Sequence, residues 1–381
     1  MMSRYFNNAF SKRPHEEVIS TMLPFINQEF ENPLTESEGA ERARDALELG
    51  HKQVADLVHA QSSEVFFVSS GTEANNWALK GLAQAWEGKK DHIVISAIEH
   101  FSIYQTAQFL SRHGCQVTIV PVNSEGMLNA DDVANAIVPS TFAVSVQSAS
   151  DEVGVIQNVQ ALSNLKKRFP EVIFHTDAIQ FVCYENLDLQ LMPFDLVSIS
   201  SNAIYGPPGV AALVVREGTR IVPLIHGGMQ EGGMRAGLQS IANIVGFGKA
   251  AEINKNLKQQ WKHQLSEIQQ KLFRCFDDLG VSITGSRKNR LCDNIHVLID
   301  VDGEALLSLL LADGIRASTG STCYEYAQKE SHVLKALGID ADAARGAILF
   351  TTGIDVSAKD VDHVCEIVTA NVKHLRKLKP G

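Results

Sequence analysis

Several short stretches place chemically capable residues where a strand-like run gives way to a helix or loop. Phe174-His-Thr-Asp-Ala-Ile-Gln180 sets Asp177 at the carboxyl end of an apolar run. A carboxylate buried there is costly unless it meets a cation, and a protonated ring nitrogen is one such cation. Gln180, three residues on, could reach a second polar atom of the same ligand. The plain alternative is an Asp that caps the next helix. Ser69-Ser-Gly-Thr-Glu-Ala-Asn-Asn76 likewise follows a strand and opens a helix. Gly71 would let the backbone approach a ligand, Thr72 brings a hydroxyl, and first-turn N–H groups face any anion there. An ordinary N-cap at Ser70 or Thr72 fits the same residues.

Other stretches add weaker signals. Ile98-Glu-His-Phe-Ser102 puts His100 just after a strand, where an imidazole face can stack on a planar ring or merely be satisfied at a strand end. Arg316-Ala-Ser-Thr-Gly-Ser-Thr-Cys-Tyr324 is a small-residue loop carrying Cys323, either a nucleophile with a lowered pKa or an unreactive loop thiol. His226-Gly-Gly-Met-Gln-Glu-Gly-Gly-Met-Arg-Ala-Gly237 is glycine-rich around Arg235. Such density suits close approach to a ligand or a neighbouring subunit, or else a flexible surface loop.

The elements that would position these residues alternate. Strand-like runs at 64–68, 92–96, 116–120, 141–146, 172–176, 196–199 and 210–215 are separated by amphipathic stretches such as 73–85, 102–112 and 158–169. That alternation predicts βαβ units, a mostly parallel sheet flanked by helices, and ligands beyond the carboxyl ends of the strands. Residues 241–279 read as a long helix bridging to a second region. Beyond it, a strand at 294–299 and helices at 304–313 and 357–375 suggest a smaller α+β domain. The predicted division is a large domain at 16–259, with 1–15 and 260–381 forming the small one.

Bulk properties narrow the function classes. At 381 residues, 45% hydrophobic and 20% charged, the chain suits a large globular domain plus a smaller one. A net charge of −10 argues against nucleic acid or an anionic membrane surface as the main partner. The start has no apolar core of signal-peptide length and the apolar runs are too short to span a bilayer, so a cytoplasmic location is expected. The six cysteines form no CxxC pair; they read as reduced thiols, mostly small buried hydrophobes, and no metal site is expected.

Taken in order, Thr72, His100, Asp177 to Gln180, Ser200 to Ala203, the loop with Arg235 and the Cys323 loop resemble the cysteine desulfurase (NifS-like) family of class-V, fold-type-I pyridoxal-phosphate (PLP) enzymes. Asn32-Pro-Leu34, Gly154-Val-Ile-Gln157 and Val333-Leu-Lys-Ala-Leu-Gly338 extend the resemblance over almost the whole chain. It implies that Thr72 and Ser200 bind the PLP phosphate, with Gly71 beside them, and that His100 stacks on the ring. It implies that Asp177 holds the pyridine nitrogen and Gln180 the phenolic oxygen. Cys323 would be the sulfur-accepting nucleophile. A small amino-acid-like substrate, a homodimer and a sulfur-acceptor protein are implied with it.

The chain departs from that pattern at chosen places. The family's Schiff-base lysine is Ala203 here, in Ser200-Ser-Asn-Ala-Ile-Tyr205, and the preceding His is Asn202. The carboxylate-clamping Arg is Leu349, and an apolar side chain cannot replace a bidentate guanidinium. A phosphate-contacting Thr donated across the dimer is Leu238, and the Asn beside the phenolic oxygen is Asp151. A substitution at 203 alone would explain only Ala203. The further changes point either to an enzyme with an unusual substrate or to a non-catalytic relative that serves as a binding or sulfur/cluster scaffold.

Overall fold

The computed structural model describes residues 4–320 and 331–378. In chain order the elements are β1 (Arg4–Tyr5), α1 (Glu16–Asn27), α2 (Glu38–Val58), β2 (Val65–Val68), α3 (Gly71–Ala85), β3 (His92–Ser96), α4 (Phe101–Arg112), β4 (Gln116–Val120), α5 (Ala130–Ala136), β5 (Thr141–Ser145), α6 (Val159–Arg168) and β6 (Ile173–Asp177). They continue with β7 (Leu196–Ser200), β8 (Ala211–Val215), α7 (Ile241–Asp278), β9 (Ser282–Ile283), β10 (Asn294–Leu298), α8 (Gly303–Ala312), β11 (Ile315–Arg316), α9 (His332–Ala336), α10 (Ala341–Ala344), β12 (Ala347–Thr351) and α11 (Ala358–Leu378).

Seven strands form the main sheet in the order β2-β8-β7-β6-β5-β3-β4. The pairs from β4 through β3, β5 and β6 to β7 are parallel, and β8 runs antiparallel to both neighbours. Strands β3, β5, β6, β7 and β8 are buried at every residue, as helices on both faces require. This is the α/β architecture the alternating pattern predicts, with boundaries shifted by a residue or so. The antiparallel β8 needs no crossover helix, because the 3₁₀ turn Ser201–Ile204 and the following loop turn the chain straight back from β7.

Two helices ahead of β2, α1 and α2, carry no counterpart in the sequence reading. They pack against α7. The α2–α7 crossing is close because Gly50 and Gly248 meet there. A Cβ on Gly248 would lie 3.0 Å from the Gly50 Cα, and one on Gly50 would lie 2.9 Å from Ile244 Cγ2.

The smaller region holds the antiparallel sheet β12-β10-β9 with α8 and α11. The strand β1 pairs in parallel with β11, which ties the N-terminal segment to the smaller region. Helix α7 runs uninterrupted over 38 residues. Among the described residues no helix is long and apolar enough to cross a membrane.

The expectation of mostly buried thiols needs correcting. Of the five described cysteines, Cys183 and Cys292 are buried, whereas Cys115, Cys275 and Cys365 are part-exposed. The last two lie on helices that line a surface groove rather than the core.

Candidate active site

A cavity of about 320 Å³ opens beyond the carboxyl ends of β6 and β7. Thr72, His100, Asp151, Asp177, Gln180 and Ser200 all line it, with Gly71 and Asn202 alongside. The N-terminal segment closes one side through Ala9 and Phe10.

Asp177 ends β6 and is 5% exposed. Burial pushes its carboxyl pKa up, and the hydrogen bonds it accepts pull it partly back. One oxygen accepts from Asn75 Nδ2 at 2.6 Å and the other from the Ile179 backbone N–H at 3.0 Å. The ion pairs of the described residues assign it no Lys or Arg; both bonds come from neutral amides. A buried carboxylate held this way favours a cationic ligand.

Asn75 ties this floor to the side wall. Its Nδ2 also donates to Ser102 Oγ at 2.8 Å, and that hydroxyl lies 2.7 Å from His100 Nδ1. The Ser102 backbone N–H donates to the same Nδ1 at 3.1 Å. Nδ1 is therefore the acceptor and Nε2 carries the ring proton, directed to the side of Asp151 Oδ2 at 4.0 Å. His100 is thus both the N-cap of α4 and a ring with a fixed tautomer.

Helix α3 begins at the cavity because Ser70 caps it, accepting from the Glu73 N–H at 3.1 Å. Of the two cap candidates, Ser70 takes the role, which leaves the Thr72 hydroxyl out of the cap. Gly71 is needed for packing as well as approach, since a Cβ there would collide with Ile179 Cδ1. Glu73 in the first turn takes Arg235 Nε at 3.0 Å and Nη2 at 3.3 Å, besides the Ser69 N–H at 2.7 Å. Although burial opposes it, these donors hold the Glu73 carboxyl below its ordinary range. Arg235 is therefore spent on positioning α3. The glycine-rich loop is pinned further by Glu231, which sits at φ 49° and accepts from His51 Nε2 at 3.0 Å and the Phe67 N–H at 2.9 Å.

Other cavity residues are engaged with each other. Ser200 Oγ donates to Asn202 Oδ1 at 2.7 Å, and Gln180 Nε2 donates to the Ala9 carbonyl at 3.0 Å. Ala203 is 4% exposed and is not among the cavity-lining residues; its side chain ends at Cβ. Tyr205 follows at φ 64°, a strained value for an aromatic residue. Its hydroxyl is fixed by Tyr184 at 2.9 Å and by the Ile354 N–H at 3.2 Å. Leu349 is fully buried on β12, exchanging backbone hydrogen bonds with Ser318. Leu238 lies 71% exposed, away from the cavity. Cys323 lies outside the described residues.

Sequence reasoning passed over several supports. Asn75 stands at a buried position of α3, and an amide at such a position is the signal that could have marked it. Glu99, next to His100, is wholly buried. Burial raises its pKa to about 8, the Asp177 charge adds to this, and its Oε2 meets no hydrogen-bond partner among the described residues. Its Oε1 accepts from Ser96 Oγ at 2.5 Å and the Gln147 N–H at 2.8 Å. Glu99 is therefore a neutral acid around pH 7, stored one residue behind the ring of His100.

Comparison with known proteins places the chain in a family. The aminotransferase class-V model matches residues 4–364. A cysteine desulfurase IscS of Clostridium botulinum (strain Kyoto / Type A2) is 37% identical over 369 residues, covering 96% of this chain and 93% of that protein. The IscS of Methanosarcina thermophila is 35% identical over 99% of this chain and 93% of its own. A solved NifS-like protein superposes with a TM-score of 0.93 at 31% identity, covering 98% of this chain and all of the other. A structure of SspA in complex with cysteine gives a TM-score of 0.82 at 31% identity, over 92% of this chain and 98% of the other. The family so matched is PLP-dependent and acts in sulfur metabolism. This chain belongs to the cysteine desulfurase (NifS-like) family of class-V aminotransferase, fold-type-I proteins.

Proposed function

We propose that this chain is a PLP-binding, cysteine desulfurase-like protein that holds its cofactor without a covalent bond and turns over an amino-acid-like substrate poorly. One observation carries the reading: a buried carboxylate, Asp177, faces a polar cavity and is held only by neutral amides. That arrangement fits a protonated pyridine ring. When bound, PLP supplies an electron sink for bonds at the substrate's α-carbon.

The residues of the chain divide the remaining work. Asp177 would hold the proton on the ring nitrogen. His100, with its tautomer fixed by Ser102, would lie against the ring and keep a proton at Nε2. Gly71 and Thr72, at the N-terminus of α3, would bind the phosphate, helped by Ser200. Gln180, Asp151 and Asn202 would border the ring's oxygen side. Cys323 would be the sulfur-accepting nucleophile. Ala203 offers no amine to anchor the cofactor, and Leu349 offers no cation to a substrate carboxylate. Losing a covalent catalytic group commonly costs about 5–8 kcal/mol of barrier.

We also propose the division into a large domain at 16–259 and a small one at 1–15 and 260–381, supported by the pairing of β1 with β11. A homodimer is supported by the exposed apolar face of α1, where Ile19, Leu23 and Ile26 follow one another at helical spacing. A sulfur-acceptor partner and a cytoplasmic location complete the proposal.

The deciding measurement is an absorption spectrum after PLP addition and gel filtration, with A203K in parallel. The native chain is expected to retain PLP that borohydride cannot fix. The A203K variant is expected to retain PLP that borohydride links to the peptide containing position 203. If neither form carries PLP through the column, the proposal fails.

A further inference from the structure

Two part-exposed cysteines far from the cavity meet between α7 and α11. The helices lie side by side in the same direction, held by a ladder of contacts. Lys271 Nζ pairs with Asp362 at 2.5 Å at one end, and Arg376 Nη1 donates to the Leu279 carbonyl at 3.2 Å at the other. Cys275 stands one turn beyond Lys271, and Cys365 nearly one turn beyond Asp362. Both line one open groove of about 720 Å³ on the surface of the small region. Neither is bonded to another cysteine.

We propose that Cys275 and Cys365 form a dithiol–disulfide site, oxidised by low-molecular-weight disulfides that enter this groove. Nothing in the chemistry of the PLP cavity uses these thiols, so the site is independent of the function proposed above.

The contacts assign different roles to the two sulfurs. The neighbouring Cys365 and Thr369 side chains lower the Cys275 pKa, while the same neighbour and burial raise that of Cys365. Cys275 is thus the more readily ionised of the two and attacks first, as its thiolate. Its sulfur bonds to one sulfur of the small disulfide, the disulfide's S–S bond breaks, and one small thiolate leaves. Cys365 then loses its proton, attacks the Cys275 sulfur of the mixed disulfide and expels the second small thiolate. Two protein thiols and one small disulfide become one protein disulfide and two small thiols, which take up the two protons. Once Cys275 is bonded, the negative charge that held Cys365 protonated is gone.

The link would close the whole segment from 275 to 365, which contains β10, α8, β12 and the stretch carrying Cys323. Closing a segment of that length restricts the unfolded chain.

The test is peptide mapping of the full-length protein after exposure to oxidised glutathione and acid quenching. The expected product is one Cys275–Cys365 linked peptide, lighter by two hydrogens, with no glutathione attached, and a melting temperature raised by a few degrees that a reducing agent reverses. The C365S variant should stop at a stable glutathione adduct on Cys275, and C275S should leave Cys365 unmodified. A glutathione adduct that persists on Cys275 of the native chain would overturn the proposal, and so would independent alkylation of the two thiols at the rate of a model thiol. The native-chain map decides the matter even if a variant fails to fold.

Discussion

Two sets of positions, one lining the cavity and one outside its lining, differ in kind. One, built from β6, α3 and the start of α4, is a connected polar chain: Asp177 to Asn75, Asn75 to Ser102, Ser102 to His100. The other set, where the family resemblance implies a lysine, an arginine and a threonine, carries Ala203, Leu349 and Leu238, none of which lines the cavity. Each side chain of the first set is fixed by a neighbour, so losing one would leave a buried polar group unpaired. The residues of the second set end in carbon and leave nothing unpaired. On the function proposed above, holding a planar cation and anchoring it covalently would be separable tasks on this fold.

The contrast can be broken most directly at the floor. D177N is expected to weaken PLP binding by about 30-fold or more, roughly 2 kcal/mol for a lost charge-assisted contact. Fluorescence titration measures this, and an unchanged affinity would remove Asp177 from the site. Next in size is N75A, which strips Asp177 and Ser102 of a shared donor. A stability loss of about 1–3 kcal/mol in urea is expected, together with weaker cofactor binding. A loss below about 0.5 kcal/mol would mean that the polar wall is not the connected unit described.

The pH dependence sharpens the same wall. Burial pushes Glu99 in the folded chain up to about 8, from an ordinary value of 4.5. It binds a proton in the folded state after the unfolded state has lost one, so its contribution is present below 4.5 and falls away as pH rises towards 8. Glu152 is raised to about 8 by burial and acts in the same sense. His175, lowered to about 3 by burial between Ser145 and Ser198, acts oppositely: its contribution is lost as pH falls from 6.5 towards 3. E99Q is expected to flatten the decline of melting temperature between pH 6.5 and 8; an unaltered slope would show that Glu99 is ionised in the fold. The smallest effect is expected at Leu349, outside the cavity lining, where L349M should change PLP affinity by less than about twofold. A larger change would mean that Leu349 shapes the cavity.

Much of the main sheet could be read from residue pattern, because buried parallel strands leave continuous apolar runs and the helices between them keep an apolar stripe. The site residues could be read because they sit where strands end. Asn75 could be marked as a buried amide, but not its partner, since only the closed fold brings α3 over Asp177. Glu99 looked like any polar residue after a strand, and its neutrality depends on burial that no local pattern encodes. The exchange of Ser200 with Asn202, and the commitment of Gln180 to Ala9, are likewise properties of assembled neighbours. The meeting of Cys275 and Cys365 joins positions far apart in sequence on two helices whose relative direction is settled only by packing.

Helix α7 has one more consequence. At 1.5 Å per residue its 38 residues extend roughly 57 Å. Its first half packs on α1 and α2, and its second half on β10 and α11. No loop interrupts its hydrogen-bond ladder, so disorder in one half takes helical turns, and the contacts resting on them, from the other. The chain should behave on heating as one cooperative unit, with a single calorimetric transition whose enthalpy is that of both regions together.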